Sequence, residues 1–560
     1  MQLIRLQITN FRGISQIDLS LDPSATALFG ENNWGKTSLI GALCRCLSSP
    51  APIETLFSHD DFHRIANSRA SIARRLNITL FFKADDAEAL SFSELCWPDN
   101  NGTPMLALRF AAERFGHSEI RARRVFVGSD GAELDHEQSD ALAVQLIELH
   151  PVLRFRDMQL TDWLEHPRLA SQPRAEEPDL TASDAVRAVF ERILTLPHQL
   201  HPQELSAGLA AMQSLLQEQA QFLQGKEPTQ RLAEQIAAAP LNFRNEDSLI
   251  DIANRSGSSL RRVTLLMLLG ALLTARGENP MHADAEPILV MEDPETHLHP
   301  IQLAMIWGLI EQLTLQKIIT TNSGDLLGSF AQSGLRRLVR RPTYVHVYQL
   351  AENALSLSDA RKVAFHVRSN RASSMFARVW LLVEGETEFW LFPELARIGG
   401  VNFPLEGIRC VEFAQAGLAP LIKFADHLGI RWHVICDGDD AGLKYQKRAQ
   451  SLLRDREEAR HITMLNKRDI EHYLWDNGFA DAYRDAAAPR GVMNAYYVAA
   501  LAQQPELDDE EIINRALRYH SKPGMALEIA EAAEIKGRNA IPAELQAMFQ
   551  ILQSLSDELN

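Results

Sequence analysis

The chain has 560 residues, 46% of them hydrophobic and 23% charged, with a formal net charge of −17. That length exceeds one hydrophobic core and gives a prior of about three or four domains, and the acidic balance excludes a surface coated for nucleic acid, though not a local basic groove. No stretch approaches the roughly 18 apolar residues of a membrane span, Met1-Gln2-Leu3-Ile4-Arg5 lacks a signal-peptide layout, and five cysteines without metal-ligand spacing (Cys44, Cys46, Cys96, Cys410, Cys436) fit a reducing cytoplasm.

Residues 2–29 read as two short strands around a turn at Asn10-Phe11-Arg12-Gly13, followed by Ala27-Leu28-Phe29. The chain then enters Gly30-Glu31-Asn32-Asn33-Trp34-Gly35-Lys36-Thr37-Ser38. This stretch fits G-x-x-x-x-G-K-[ST] between a strand and an apolar helix, the context that gives the pattern its meaning. Its glycines let backbone N–H groups curl around phosphate oxygens at a helix N-terminus. Lys36 is expected on the β- and γ-phosphates and Thr37 on Mg²⁺, with Gly30, Asn33, Gly35 and Ser38 completing the nucleotide loop.

The segment 71–128 is β-rich, with strands around Leu76–Phe82, Met105–Phe110 and Val125–Val127 separated by turn residues. A polar, proline-punctuated stretch over 165–182 reads as a loop. From Ala182 to about Ala239 the apolar spacing is helical, which predicts an inserted arm; a dimer contact is favoured over a satellite helical layer.

Asn254-Arg255-Ser256-Gly257-Ser258-Ser259 opens an apolar helix over 263–274, and a Ser/Gly turn there is a ready anion site. Pro287–Met291 is a buried strand that ends in Glu292-Asp293-Pro294-Glu295. Acids at the carboxyl end of such a strand are where a doubly wound sheet places its metal and water chemistry. Glu292 is expected beside the nucleotide Mg²⁺ and Asp293 on the attacking water. His297 and His299, two apart, are dimer or phosphate contacts at best and not metal ligands. Lys317–Ser323 is a further strand whose polar end brings Asn322 toward the γ-phosphate. Basic clusters follow at Arg336-Arg337, Arg340-Arg341, Arg361-Lys362 and Arg368 to Arg371; each alone reads as a solvated surface, and together they flank a join where a phosphate backbone would need them.

A second unit starts near Met375. The buried strand Val379–Val383 ends in Glu384-Gly385-Glu386-Thr387-Glu388, and Trp432–Cys436 ends in Asp437-Gly438-Asp439. Crowded carboxylates repel unless divalent cations lie among them. Oxygen-only donors point to Mg²⁺ or Mn²⁺, and two such ions can clamp both oxygens of a phosphodiester displacement. Glu471 and Lys522 each read alone as surface charges.

These two units in this order resemble the OLD (overcoming lysogenization defect) family of ATP-dependent nucleases, which joins an ABC-type ATPase to a C-terminal Toprim domain. The resemblance runs from Asn10-Phe11-Arg12-Gly13 to about Lys522 and leaves out the 155–240 arm. It implies an α/β fold: an ABC-type P-loop ATPase over 1–154 and 241–365, interrupted by the helical insertion over 155–240, then a Toprim domain with C-terminal helices over 372–560. It further implies that Ser256 and Gly257 close on the ATP of a partner subunit, and that Glu292 and Asp293 are the Walker B and hydrolytic acids. Glu384, Glu388, Asp437, Asp439 and Glu471 match the Toprim metal ligands, and Lys522 a lysine that stabilises transition-state charge. Two positions depart from the pattern: Asn322 where a histidine is usual, which donates a hydrogen bond but carries no charge, and Ser259 where a second glycine is common.

The expected protein is thus an ATP-regulated, divalent-metal-dependent DNA endonuclease. It takes ATP with one Mg²⁺ and two Mg²⁺ or Mn²⁺ at the Toprim site, its partners are DNA and a second copy of itself, and the resemblance implies a role in defence against phage or foreign DNA. The alternative is a non-nuclease ATP-dependent DNA clamp or sensor with a relict Toprim fold. A topoisomerase reading needs a nucleophilic tyrosine, for which Tyr445, Tyr473, Tyr483, Tyr496 and Tyr497 are available without a dedicated domain.

Overall fold

The computed structural model describes residues 1–48, 52–64, 72–84, 92–99, 101–116, 119–155, 284–296, 298–311, 313, 315–351, 353–370, 372–487 and 508–558. The expected arm over 155–240 (save Phe155) and the turn at Ser256-Gly257 lie outside the described residues. The chain divides into two units, Met1–Val347 and Tyr348–Asn560.

The strands met first are β1 (Gln2–Phe11), β2 (Ile14–Ser20), β3 (Ala25–Phe29), β4 (Arg75–Lys83), β5 (Trp97–Pro98), β6 (Pro104–Phe115), β7 (Glu119–Phe126), β8 (Val152–Phe155), β9 (Ile288–Glu292), β10 (Gln316–Thr320), β11 (Leu335–Arg340) and β12 (Val345–Tyr348). They form two six-stranded sheets. One is antiparallel wherever its pairings are defined, in the order β2-β1-β4-β6-β5 with β7 also on β6. The opening hairpin therefore joins the β-rich segment and not the sheet that carries β3. β7 starts earlier than its apolar residues suggest, because Arg121 and Arg123 alternate outward and pair with Glu119 and Glu133. An edge strand carrying charges on its open face resists pairing with other chains.

The second sheet has the order β12-β11-β3-β10-β9-β8, and β11, β3, β10, β9 and β8 run parallel. Ala27, Leu28 and Phe29 of β3 are fully buried, as are Leu289 and Val290 of β9. Continuous apolar runs of this kind mark strands covered on both faces. Because β10 lies between β3 and β9, the polar end of β10 sits between the phosphate loop and the acids after β9.

A buried carboxylate ties the first helix, α1 (Lys36–Leu47), to the turn after β1. Asp61 is fully buried and accepts from Arg12 Nε at 2.9 Å, from Ser58 N at 2.8 Å and from Ser58 Oγ at 2.9 Å, with Arg45 Nη2 of α1 at 3.3 Å. Asn10 and Arg12 take positive φ values of 58° and 47°, a conformation costly to L-residues. Arg12 Nη1 would lie 2.8 Å from a Cβ added at Gly41, so α1 approaches the turn closely.

In the second unit the helix α5 (Leu357–Asn370) precedes a four-stranded parallel sheet, α2 (Ser139–Leu149), α3 (Pro300–Ile310) and α4 (Gly324–Ser329) having preceded it in the first unit. The sheet's strands are β13 (Val379–Val383), β14 (Ile408–Glu412), β15 (Arg431–Cys436) and β16 (Ile462–Met464), in the order β14-β13-β15-β16. Between them run α6 (Glu386–Gly399), α7 (Leu418–His427) and α8 (Asp440–Gln450); α9 (Ile470–Leu474), α10 (Ala480–Ala487), α11 (Asp509–Lys536) and α12 (Ala543–Asp557) follow. All five residues of β13 are buried, and α6, α11 and α12 supply much of one core. Among the described residues two tryptophans are fully buried, and both keep their indole donors satisfied: Trp380 Nε1 donates to Ser374 O at 2.8 Å and Trp432 Nε1 to Asp426 Oδ1 at 3.0 Å.

His433 on β15 is fully buried, with Nδ1 3.0 Å from Arg460 O and Nε2 2.8 Å from Thr463 Oγ1. A neutral ring satisfies both, donating to the carbonyl and accepting from the hydroxyl. Burial pushes its pKa down to about 4. The unfolded chain therefore binds the proton first as pH falls, so the contribution is complete above about pH 6.5 and is lost toward pH 4, roughly 3 kcal/mol in all. Thermal melts of the second unit are expected to fall steeply over that window, and less steeply in His433→Gln.

Candidate functional site

The phosphate loop is shaped by two glycines. Gly30 has φ 146°, and a Cβ there would lie 2.6 Å from Leu338 O. Gly35, with φ 95°, is the N-cap of α1. Neither position accepts a side chain without strain. Arg340 Nη1 donates to Asn33 O at 3.1 Å, and the Arg337 guanidinium lies 6.0 Å from the ring of buried Trp34. Thr37 is exposed at the start of α1, and Ser38 Oγ accepts from Gly13 N at 3.4 Å.

Lys36 is buried, and its ammonium donates to Gly30 O at 2.6 Å and to Asn322 Oδ1 at 2.5 Å. Burial lowers its pKa, against the attraction of Asp293 and Glu295. Asn322 is itself anchored, since its N–H donates to Glu295 Oε1, and Thr321 Oγ1 donates to Glu295 Oε2 at 2.9 Å. Asp293 takes φ 36°, donates from N to Thr320 O at 3.0 Å and accepts from Thr320 Oγ1 at 3.0 Å. Lys36, Asn322, Asp293 and Glu295 are thus brought together at the ends of β3, β9 and β10. Glu292 leaves β9 beside them in an ion pair with Arg154 of β8. Sequence reasoning assigned no role to Glu295 or Arg154. The signal for Arg154 was a charge inside the apolar strand Val152–Phe155, and for Glu295 its place one turn beyond the strand end. His299, exposed, accepts at Nδ1 from Ile301 N at 3.3 Å at the start of α3. His297 lies outside the described residues.

In the second unit the acids gather at the carboxyl ends of β13 and β15, with α6 and α9 adding one each. Glu384 follows β13, and its Oε2 is buried with no hydrogen-bond partner among the described residues. Burial raises its pKa, then Asp439 does so, while Lys522 opposes. Glu388, in the first turn of α6, is pushed up to about 7 by burial and by Glu471 and Glu384. Asp437 is pushed up to about 8 by burial, then by Glu388, Glu384, Glu471 and Asp469. Glu471 is buried on α9, accepts from Thr387 Oγ1 at 3.1 Å and has Lys522 Nζ at 3.7 Å. Lys522 follows Ser521, whose φ of 59° breaks α11 next to Pro523. That kink and the ion pair with Glu471 set the ammonium beside the acids. Asp439 is exposed and caps α8, accepting at Oδ1 from Gly442 N at 2.7 Å.

Among the described residues, no group of three His, Cys, Asp or Glu side chains converges to hold a metal ion as it stands. The donor set fits one nonetheless. It is all oxygen, its members repel one another, and Glu384 Oε2 has no hydrogen-bond partner among the described residues. Like charges separate unless a cation lies among them, so the spread of the acids and their fitness as ligands are compatible.

The turn that carries Asp437 and Asp439 has no spare room. A Cβ at Gly438 would lie 2.4 Å from Lys467 O, and one at Gly442 would lie 1.8 Å from Asp437 O. Gly442→Ala must displace either α8 or the Asp437 backbone. It is expected to cost about 2 kcal/mol or more, as overpacking does, and to move Asp437 with it. Melting curves check the first effect, and Mn²⁺ titration of the same preparation checks the second.

Residues 1–374 match the family described as "Protein of unknown function (DUF2813)", and residues 375–439 that described as "Overcoming lysogenization defect protein-like, TOPRIM domain". The Escherichia coli (strain K12) "Uncharacterized protein YbjD" is 36% identical over 558 residues, 98% of each chain. The C-terminal region of the Burkholderia pseudomallei OLD protein is similar to 33% of this chain over 100% of its own, at 21% identity and TM-score 0.27. The C-terminal region of the Xanthomonas campestris pv. campestris OLD protein is similar to 33% of this chain over 95% of its own, at 18% identity and TM-score 0.27. An Smc head domain from Pyrococcus furiosus is similar to 66% of this chain over 100% of its own, at 14% identity and TM-score 0.34. Among the described residues, no helix is long and apolar enough to cross a membrane.

Proposed function

The chain belongs to the DUF2813 family and carries an OLD-type Toprim domain, and from that premise we propose that it is an ATP-regulated, divalent-metal-dependent DNA endonuclease. The observation that carries this reading is the orphaned Glu384 oxygen among mutually repelling carboxylates at one edge of a parallel sheet. Glu384, Glu388, Asp437, Asp439 and Glu471 would hold two Mg²⁺ or Mn²⁺ ions. Bound there, such ions supply an activated water and neutralise the leaving oxygen.

The protein's own residues would do the rest. Thr387 fixes Glu471 by its 3.1 Å hydrogen bond, and Lys522 adds positive charge where the phosphodiester becomes more negative. In the first unit Gly30, Asn33, Gly35, Lys36 and Ser38 would receive the triphosphate, and Thr37 and Glu292 its Mg²⁺. Asp293 would orient water, and Asn322, held by Glu295, would donate to the γ-phosphate. Asn322 cannot carry charge, which suits slow turnover and a switch more than a motor. Ser256 and Gly257 of a second copy would close on the nucleotide, making the active form a homodimer or larger. Defence against phage or foreign DNA is the setting this reading proposes.

The test is cleavage of supercoiled DNA with Mg²⁺ or Mn²⁺, with and without ATP. Metal-dependent nicking or linearisation that ATP alters supports the reading. DNA binding with no cleavage under any of these conditions would sink it in favour of a clamp or sensor.

A further inference from the structure

A cleft of about 250 Å³ opens between α5 and the loop after β14, lined by Arg361, Lys362, Phe365, His366 and Gln415. Arg361 and Lys362 are exposed and have no ion pair among the described residues, Asp359 being the acid of this helix. Phe365 is 66% exposed, an unusual state for a phenylalanine. Leu357, Arg361 and Phe365 recur every four residues and so share one face.

The cleft also has a defined place relative to the acids. β14 is the edge strand and runs parallel to β13, with Glu412 opposite Val383, so the loop bearing Gln415 leaves the same sheet edge as Glu384. Phe413 N donates to Val383 O at 2.9 Å, and the Phe413 ring meets that of Tyr445 at 4.9 Å. Tyr445 in turn lies in the field of Glu384 and Asp439. A continuous run of this one unit thus links the carboxylates to the cleft.

We propose that this cleft grips a single strand of DNA beside the cleavage site, with Arg361 and Lys362 on consecutive phosphates, one unstacked base against Phe365, and the Gln415 amide on the base or sugar edge. The inference rests on the nuclease reading and adds where the strand lies. Positive charge beside an exposed aromatic ring is the chemistry that binds single strands without reading sequence. On a chain of net charge −17, this local pair of cations attracts an anionic strand that the rest of the surface repels.

The experiment measures fluorescence anisotropy of labelled single-stranded and duplex oligonucleotides of one sequence, in Ca²⁺, with the full chain. Arg361→Ala/Lys362→Ala is expected to weaken single-strand binding about tenfold and to flatten its salt dependence by about 1.4, two phosphate contacts' worth. Phe365→Ala is expected to weaken it about fivefold to a hundredfold with the salt slope kept. Melting temperatures check that both variants fold. Wild type that binds and cuts DNA, with both variants unchanged in affinity, overturns the cleft and leaves the nuclease reading standing. Strand binding lost in both variants, from a wild type that never cuts, keeps the cleft and sinks the nuclease. A Phe365→Ala effect on self-association alone, seen by sedimentation, overturns the proposal in favour of a contact between copies.

Discussion

Asp437→Asn and Glu384→Gln are each expected to lower metal-dependent cleavage of supercoiled DNA by about a thousandfold, equivalent to about 4 kcal/mol of transition-state stabilisation. Both changes keep side-chain volume, so the packing around Gly438 and Gly442 is undisturbed. What they remove is negative charge. At Asp437 the loss relieves repulsion from Glu388, Glu384 and Glu471. The apo protein should therefore be as stable as wild type, or more so, while its metal affinity falls. That opposite movement separates a ligand from a structural acid, whose removal would cost stability. Melting with and without Mn²⁺ reads it directly: wild type should gain in stability on adding metal, and the two variants should gain little. Equal cleavage by wild type and both variants would remove the second unit's carboxylates from the reaction.

Lys36→Ala is expected to weaken ATP binding at least a hundredfold and to abolish any effect of ATP on cleavage, while leaving metal-dependent chemistry intact. Removing a charged partner of a triphosphate accounts for a loss on that scale. The structure makes the consequence sharper. Lys36 donates to Gly30 O and Asn322 Oδ1, two bonds with which a phosphate on the same ammonium is expected to compete. Asn322→Ala removes one of these bonds. ATP affinity of that variant should fall less than that of Lys36→Ala, because the lysine is freed even as a γ-phosphate donor is lost. Titration with a fluorescent ATP analogue gives both affinities, and gel assays with and without ATP give the coupling.

Much of this architecture was legible in the residues because it rests on short-range rules. Gly30 and Gly35 announced a loop that only glycine can make, and the buried runs of β3, β9, β13 and β15 announced parallel strands with polar ends. What stayed hidden depends on pairings between distant segments. That β1 and β2 join β4 and not β3 follows from which faces are buried, and both arrangements have the same alternation. Glu295 looked like one more acid in a turn, and its bonds to Thr321 and Asn322 bridge strands 26 and 27 residues apart. Arg154 acquires meaning only once β8 lies beside β9. The kink at Ser521 is invisible in composition, since Pro523 alone fixes neither its place nor the direction of Lys522.

The buried Asp61 has a mechanical corollary. Through Arg12, Ser58 and Arg45 it fastens the hairpin of one sheet to the helix that carries Lys36 and Thr37, and Gly13 adds a bond to Ser38. Turn, loop and helix thus share one set of bonds, so Asp61→Asn is expected to disturb the phosphate loop from a position that does not touch it.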